Sequence, residues 1–382
     1  MRWLLLPLLA CTALLAACSG FEARQGQPAT LTSPAYPHPS STSPAPQPSS
    51  TPNPSATPTP DASPMLAQPG STPRPERIRA ANTAQLELAH EVQYKVWELV
   101  LDLAWSPSTG LLAVAAGEHI HLYATPDFKE ILQIPAGGVL NELAFQPKGS
   151  LLAGAGQDGS LVVWDVLTGE MLYRVAAHKK AANTVVFSQD GALIATGGND
   201  GMARLWASQD GSRVAEMIGG AFAIPSVSFA YADTSLAIAN AGIVRLRNIT
   251  TQRFVQTLRG SESILSIAIA PQEDLLAAAT VENRLLAWDL QTGEQSWEAQ
   301  AAASGPERPA LAWQVAFSPD GSLLASASGD GSLALWDAHS GQLLQRFSAH
   351  SRAATCVAFS PDGYWLASGG LDGALRLWAV RP

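Results

Sequence analysis

One unit of sequence recurs along the chain and limits what it can fold into. The stretch FSPDGSLLASASGDGSLALWD occupies residues 317–337, and related stretches occur six more times. Each ends in a short apolar segment around one large side chain, and these anchors are 41 to 48 residues apart: Tyr123, Trp164, Trp206, Arg247, Trp288, Trp336 and Trp378. A repeat period near 42 residues indicates one supersecondary unit used seven times, because a single unit of this size cannot bury both of its faces.

The unit itself is divided into short strands by turn residues. An apolar strand such as VAFS is followed by Pro-Asp-Gly, then by LLASAS, a Gly-Asp-Gly turn and LALWD, and the linker to the next unit supplies a fourth strand. The sequence therefore predicts an all-β fold, a seven-bladed β-propeller of four-stranded antiparallel blades. The last repeat stops after its third strand, so we expect AQLELAHE, residues 84–91, to close the last blade as an N-terminal strand.

The repeats resemble the WD-repeat family. In that family a His, a Ser or Thr, an Asp and the Trp of one blade form a buried hydrogen-bonded tetrad. Two repeats match this pattern with identical spacing, which implies structural tetrads at His178, Thr196, Asp200 and Trp206 and at His350, Ser368, Asp372 and Trp378. The other repeats are incomplete: the Trp336 repeat, for example, keeps Ser326 and Asp330 but has Arg308 in place of the His.

Residues 1–17 have the features of a targeting signal. Arg2 precedes an apolar run from Trp3 to Leu15 that is too short to span a bilayer as a helix. The sequence Leu-Ala-Ala-Cys at 15–18 resembles the lipobox of bacterial lipoproteins, which implies cleavage of residues 1–17 and lipidation of Cys18. An ordinary secretory peptide cleaved after Ala17 is the alternative.

Composition separates a linker from the folded region. Between Pro28 and Pro75 lie 15 of the 27 prolines, together with many Ser and Thr residues. Such a stretch has too few apolar side chains to offset its ordering entropy, so we predict a disordered linker over 18–76 and the propeller over 77–382. The chain has a formal net charge of −9, which argues against nucleic acid as a partner.

The loops before the first strands and after the second strands of a WD-repeat propeller gather on one face. A position four residues before each aligned first-strand aromatic is expected at the rim of the central channel: Leu101, Asn141, Asn183, Pro225, Leu265, Trp313 and Thr355. Apolar and basic residues near this rim suggest a candidate partner-binding face formed by Trp97, Leu99, Leu101, Lys179, Lys180, Arg308, Trp313 and Arg352. The alternative is that these side chains only cap the channel.

Few residues in the sequence point to catalysis or metal binding. Positions one residue further on are expected to line the channel: Asp102, Glu142, Thr184, Ser226, Ser266, Gln314 and Cys356. Two acidic residues are too few for a metal cage, and the His119-x-His121 spacing lacks further ligands. We therefore predict no catalytic, cofactor or metal residues and no enzymatic activity.

The function expected from the sequence is a membrane-anchored extracytoplasmic scaffold. A monomeric propeller, held at the cell surface or in the periplasm by the lipid on Cys18, would bind a protein or peptide through its loop-rich face. The alternative is an extracytoplasmic propeller hydrolase or lactonase with a metal in the central channel. A role in envelope assembly is a third possibility, and it rests on the fold alone.

Overall fold

The computed structural model describes residues 75–95, 97–301 and 312–381. The leader, Cys18 and the Pro-rich linker up to Arg74 lie outside the described residues, as do Arg308 and most of the insertion that contains it. Within the described part, no helix is long and apolar enough to cross a membrane.

Twenty-eight β-strands and one short 3₁₀ helix, Ala80–Gln85, make up the described regular structure. The strands are β1 Leu86–Gln93, β2 Val100–Trp105, β3 Leu111–Ala116, β4 His119–Ala124, β5 Lys129–Pro135, β6 Leu140–Phe145, β7 Leu151–Gly156, β8 Ser160–Asp165, β9 Glu170–Ala176, β10 Ala182–Phe187, β11 Leu193–Gly198, β12 Met202–Ala207, β13 Arg213–Ile218, β14 Val227–Ala230, β15 Ser235–Asn240, β16 Ile243–Asn248, β17 Phe254–Arg259, β18 Ile264–Ile269, β19 Leu275–Thr280, β20 Arg284–Asp289, β21 Gln295–Gln300, β22 Ala312–Phe317, β23 Leu323–Ser328, β24 Ser332–Asp337, β25 Leu343–Ser348, β26 Ala354–Phe359, β27 Leu366–Gly370 and β28 Ala374–Val380.

These strands form seven four-stranded antiparallel sheets, which confirms the predicted seven-bladed propeller. Blade 1 contains β2 to β5, and each following blade takes the next four strands, up to blade 6 with β22 to β25. Apolar side chains fill the spaces between adjacent blades; Trp336, for example, lies in one cluster with blade 5 residues such as Ala277 and Leu285. The second strands are almost completely buried because they are covered on both faces, which explains their Ala- and Gly-rich sequences.

Blade 7 is closed by the N-terminal strand, as predicted. Its strand order is β1-β28-β27-β26, and β1 pairs antiparallel with β28 from Leu86 opposite Val380 to Gln93 opposite Ala374. The segment before β1 extends the closure, since Ile78 is buried among residues of blades 6 and 7 and its N–H donates to the carbonyl of Gly363 at 2.9 Å. The two ends of the described propeller are therefore joined in a single sheet.

Two β-bulges recur from blade to blade and decide which side chains reach a surface. One lies between the first and second strands, and in six blades its extra residue is at the predicted rim position: Leu101, Asn141, Asn183, Leu265, Trp313 and Thr355. The other lies on the fourth strand of every blade. A bulge redirects the side chain of its extra residue and increases the local twist.

Candidate functional site

The loops before the first strands and the turns after the second strands meet on one face, which we call the loop face. Backbone hydrogen bonds join the two kinds of loop: the N–H of His178 donates to Gly159 at 2.8 Å, and the N–H of Tyr94 donates to Gly373 at 2.8 Å. The predicted partner-binding residues that the structure describes therefore lie on the loop face or at the adjoining channel rim.

These candidate residues differ in accessibility. Trp97 is the most exposed large apolar side chain of the described residues, at 73%, and Lys179 and Lys180 are also exposed. The ammonium groups of both lysines have no ion-pair partner among the described residues. Leu99, Leu101 and Trp313 are only partly exposed, and the guanidinium of Arg352 donates to the carbonyl of Leu371 at 2.8 Å.

The rim of the channel carries polar and apolar side chains. In blades 2, 3 and 7 the bulge side chains hydrogen-bond to the next blade: Asn141 donates to the carbonyl of Ala182 at 2.8 Å, and Thr355 donates to that of Val100 at 2.7 Å. Asn183 makes the same kind of bond to Ile224 at 3.0 Å. The apolar rim residues are Pro225, Leu265 and Trp313 in blades 4 to 6 and Leu101 in blade 1. The polar rim residues therefore tie adjacent blades together, and blades 4 to 6 form an apolar stretch of the rim.

The Nε1 atom of Trp313 is a polar group among the apolar rim residues. It is buried and has no hydrogen-bond partner among the described residues, although buried indole N–H groups usually have one. The sequence predicted an exposed aromatic side chain here; the structure places the ring partly inside the rim.

The side chains below the rim link the blades into a belt around the channel. The carboxylate of Asp102 accepts the N–H of Leu143 in blade 2 at 2.7 Å. The same contact to the next blade recurs from Glu142 to Val185 at 2.8 Å, from Thr184 to Val227 at 3.4 Å, from Ser226 to Ile267 at 3.2 Å, and from Gln314 to Val357 at 2.7 Å. Ser266 and Cys356 occupy the two remaining belt positions.

This belt accounts for the two acidic residues that the sequence placed in the channel. Gln314 donates from Nε2 to the second carboxylate oxygen of Asp102 at 3.1 Å, so both oxygens of Asp102 have donors. Enclosure by the blades raises the pKa of Asp102, and enclosure together with the nearby charge of Asp102 raises the pKa of Glu142. Among the described residues, no group of three or more His, Cys, Asp or Glu side chains is arranged to hold a metal ion.

The tetrad side chains of blade 3 meet as the resemblance implies. Trp206 donates from Nε1 to the hydroxyl of Thr196 at 2.9 Å, and that hydroxyl lies 2.9 Å from Nε2 of His178. Nδ1 of His178 is 2.8 Å from a carboxylate oxygen of Asp200 and 2.7 Å from the guanidinium of Arg204, so both ring nitrogens have polar partners. The Thr196 hydroxyl is fully buried, which supports a structural role rather than a nucleophilic one.

An arginine that sequence reasoning missed completes each tetrad. Arg204, two residues before Trp206, donates to Asp200 at 2.8 Å, and Arg376 donates to Asp372 at 2.9 Å in blade 7. Burial by itself would raise the pKa of Asp200, but hydrogen bonds from His178 and Arg204 outweigh it and lower the pKa to about 2. The recurring Arg-Leu-Trp at 204–206 and 376–378 is the signal that could have shown this.

Blade 7 repeats the geometry almost atom for atom. His350 contacts Asp372 at 2.9 Å through Nδ1 and Ser368 at 2.9 Å through Nε2. Trp378 donates to Ser368 at 3.0 Å. The pKa of Asp372 is again lowered to about 2, since donation from Arg376 and His350 outweighs its burial.

Three blades replace the tetrad with other pairs. In blade 1 Tyr94 takes the place of the His, and its hydroxyl is 2.8 Å from that of Tyr123. In blade 5 the hydroxyl of Thr280 donates to Glu262 at 2.9 Å. In blade 4 the guanidinium of Arg247 lies 4.2 Å from the ring centre of Phe254. The sequence indicated that these sets were incomplete but did not reveal their replacements.

Comparison with protein families agrees with the geometry. Residues 305–337 and 341–379 match the model described as WD domain, G-beta repeat. Residues 103–189 match the model described as Anaphase-promoting complex subunit 4 WD40 domain. No curated protein sequence matches the chain. The family matches and the seven four-stranded blades together support a WD-repeat propeller.

Proposed function

We propose that the chain is a non-enzymatic scaffold that binds a protein or peptide partner through the loop face. A WD40 propeller is compatible with a protein-interaction scaffold. The observation that carries the proposal is the 73% exposure of Trp97 on a face that also presents the unpaired Lys179 and Lys180. Large aromatic side chains beside cationic ones are typical anchors of protein interfaces.

The absence of a catalytic role is part of the proposal. The channel carboxylates of Asp102 and Glu142 accept N–H groups of neighbouring blades, and the tetrad hydroxyls are buried. These contacts explain the buried polar residues as structural hydrogen-bond partners, without a role in catalysis. The hydrolase alternative has no specific observation in its favour.

The proposal places the propeller outside the cytoplasm on a lipid anchor. It rests on the apolar run ending at Leu15-Ala16-Ala17-Cys18 and on the Pro-rich linker that follows. Labelling cells with a palmitate analogue tests the anchor: Cys18→Ala abolishes labelling and retains the uncleaved leader, whereas Cys11→Ala leaves both unchanged. Continued labelling of the Cys18→Ala chain contradicts lipidation at Cys18.

In-cell crosslinking tests the binding face. A photoreactive amino acid at position 97 is expected to capture a defined partner. The same amino acid at Lys148, which is exposed on a turn between first and second strands at the opposite face, serves as the control. Equal capture at both positions contradicts the assignment of the loop face.

A further inference from the structure

The outer wall of the propeller, formed by the fourth strands, is apolar over four consecutive blades. The bulge on each fourth strand places one extra residue on this wall, and in blades 1 to 4 that residue is aliphatic and 48–56% exposed: Ile131, Leu172, Val214 and Val255. Four other exposed large apolar residues lie on the same fourth strands or in the turn before β9, namely Leu167, Met171, Ile218 and Phe254. We call these eight residues the wall patch.

Blades 5 to 7 continue the wall patch only weakly, since their exposed large apolar residues on the fourth strands are Leu343 and Leu88, at 43% and 39%. Their bulge residues are Ser296, which is polar, and Leu344 and Ala89, which are partly buried. The contrast is informative because all seven blades share the same strands and the same bulge. Exposed apolar surface concentrated in one sector, at the edges of sheets, marks an interaction surface.

The charges around the bulges identify the occupant. A two-fold-related copy lying antiparallel along β9, with Leu172 opposite its own copy, places Glu170 opposite Arg174 in both directions, an attractive arrangement. The same pairing centred on Ser296 in blade 5 opposes Glu294 and Glu298, and centred on Ala89 in blade 7 it opposes Glu87 and Glu91. Self-pairing is thus electrostatically favoured at blade 2 and disfavoured at blades 5 and 7.

The side chains at blade 2 are available for this contact. The Glu170 carboxylate is exposed and has no ion-pair partner among the described residues. Arg174 contacts Asp158 of its own blade and donates to the carbonyl of Gly137 at 3.2 Å, and 32% of its side chain remains accessible. The apolar side chains of this blade that face solvent are Leu167, Met171 and Leu172, which are 72%, 56% and 48% exposed.

We propose that the blade 2 part of the wall patch binds a second copy of this chain, with β9 of each copy antiparallel at a two-fold axis through Leu172. This differs from the monomer expected from the sequence. The dimer leaves both loop faces free, so its test is independent of the proposed scaffold function.

Sedimentation velocity of the full chain in a non-ionic detergent tests the proposal. We expect a dimer that dissociates on dilution, and Leu172→Glu weakens it at least tenfold because two carboxylates then meet at the axis. Ser296→Glu, at the matching bulge of blade 5, leaves it unchanged. A monomer at every concentration overturns the proposal, and so does a dimer affected equally by both variants or by neither.

Crosslinking keeps the proposal testable if Leu172→Glu fails to fold. Leu172→Cys should form a covalent dimer with a short bismaleimide, since the two thiols lie next to each other at the axis. Ser296→Cys and the unchanged chain report background crosslinking through Cys11 or Cys18. Crosslinking of Leu172→Cys no stronger than this background, or its crosslinking only to a different protein, overturns the assignment of a second copy.

Discussion

A carboxylate oxygen of Asp102 in blade 1 accepts the N–H of Leu143 in blade 2 at 2.7 Å, and this contact is the first of five that link successive blades around the channel. The sequence placed Asp102 in the channel, where two acidic residues were too few for a metal cage. The contact with Leu143 gives this carboxylate a structural role, since it accepts a backbone N–H of the next first strand.

The belt predicts an unusual pH dependence at Glu142. Its pKa is raised in the folded state, so its unfavourable contribution is absent below the usual carboxyl pKa of about 4 and develops as pH rises through the raised value. Glu142→Gln keeps an acceptor for the N–H of Val185 but removes the charge. Its free energy of unfolding in urea should exceed that of the unchanged chain by more than about 1 kcal/mol at pH 8 and by less at pH 5. The exposed Glu118→Gln is the control, and a difference that does not vary with pH would refute the explanation.

The tetrads predict a loss of stability from a single hydroxyl. Thr196→Val keeps the shape of the side chain but leaves Nε1 of Trp206 and Nε2 of His178 without their partner. The free energy of unfolding should fall by roughly 1–3 kcal/mol, the cost of leaving buried polar groups unpaired. The exposed Ser261→Ala serves as the control, and chemical denaturation measures both. A Thr196→Val propeller as stable as the control would mean that the tetrad contributes nothing.

The same tetrads predict acid sensitivity. Asp200 and Asp372 have pKa values lowered to about 2, so the stability they provide is present above the unfolded pKa of about 4 and is lost as pH falls toward 2. Burial also lowers the pKa of His178, which removes stability as pH falls below about 6.5. Thermal melting should show that the Tm at pH 7 exceeds the Tm at pH 3 by less in Asp200→Asn than in the unchanged chain. An unchanged difference would contradict the predicted contribution of Asp200.

The closure of blade 7 predicts that the N-terminal strand stabilises the whole ring. Removal of residues 77–90 deletes most of β1 and leaves β28 as an unpaired edge. We expect a fall in Tm of more than 10 °C or failure to fold, whereas removal of residues 28–60 from the linker leaves the Tm unchanged. A melting temperature unaffected by the first deletion would exclude the closure.

Most of the fold could be predicted from the sequence because the repeat period, the turn residues and the Trp anchors report on local structure. The tetrad of His178 to Trp206 could be predicted for the same reason, because its members recur at fixed spacing within a repeat. Arg204 was missed because its contact with Asp200 depends on which face of β12 it occupies. Tyr94 was missed because no repeat pattern includes a Tyr pair.

The surface features depended on geometry that the sequence does not state. A bulge changes the direction in which a side chain points relative to the two faces of its strand. The exposure of Leu172 could therefore not be predicted from the alternation of inward and outward side chains along β9. The rim positions could be predicted because each lies four residues before the aromatic side chain of its first strand. The partial burial of Trp313 could not be predicted, because it depends on packing between blades.

The proposed scaffold function depends most directly on Trp97, and one measurement decides it. The partner captured at position 97 is purified, and its Kd for the propeller is measured by calorimetry against the unchanged chain, Trp97→Ala and the opposite-face variant Lys148→Glu. We predict that Trp97→Ala weakens binding at least tenfold, the effect of about 1.4 kcal/mol expected for an interface anchor, and that Lys148→Glu does not. Equal Kd values for all three proteins would contradict binding through the loop face.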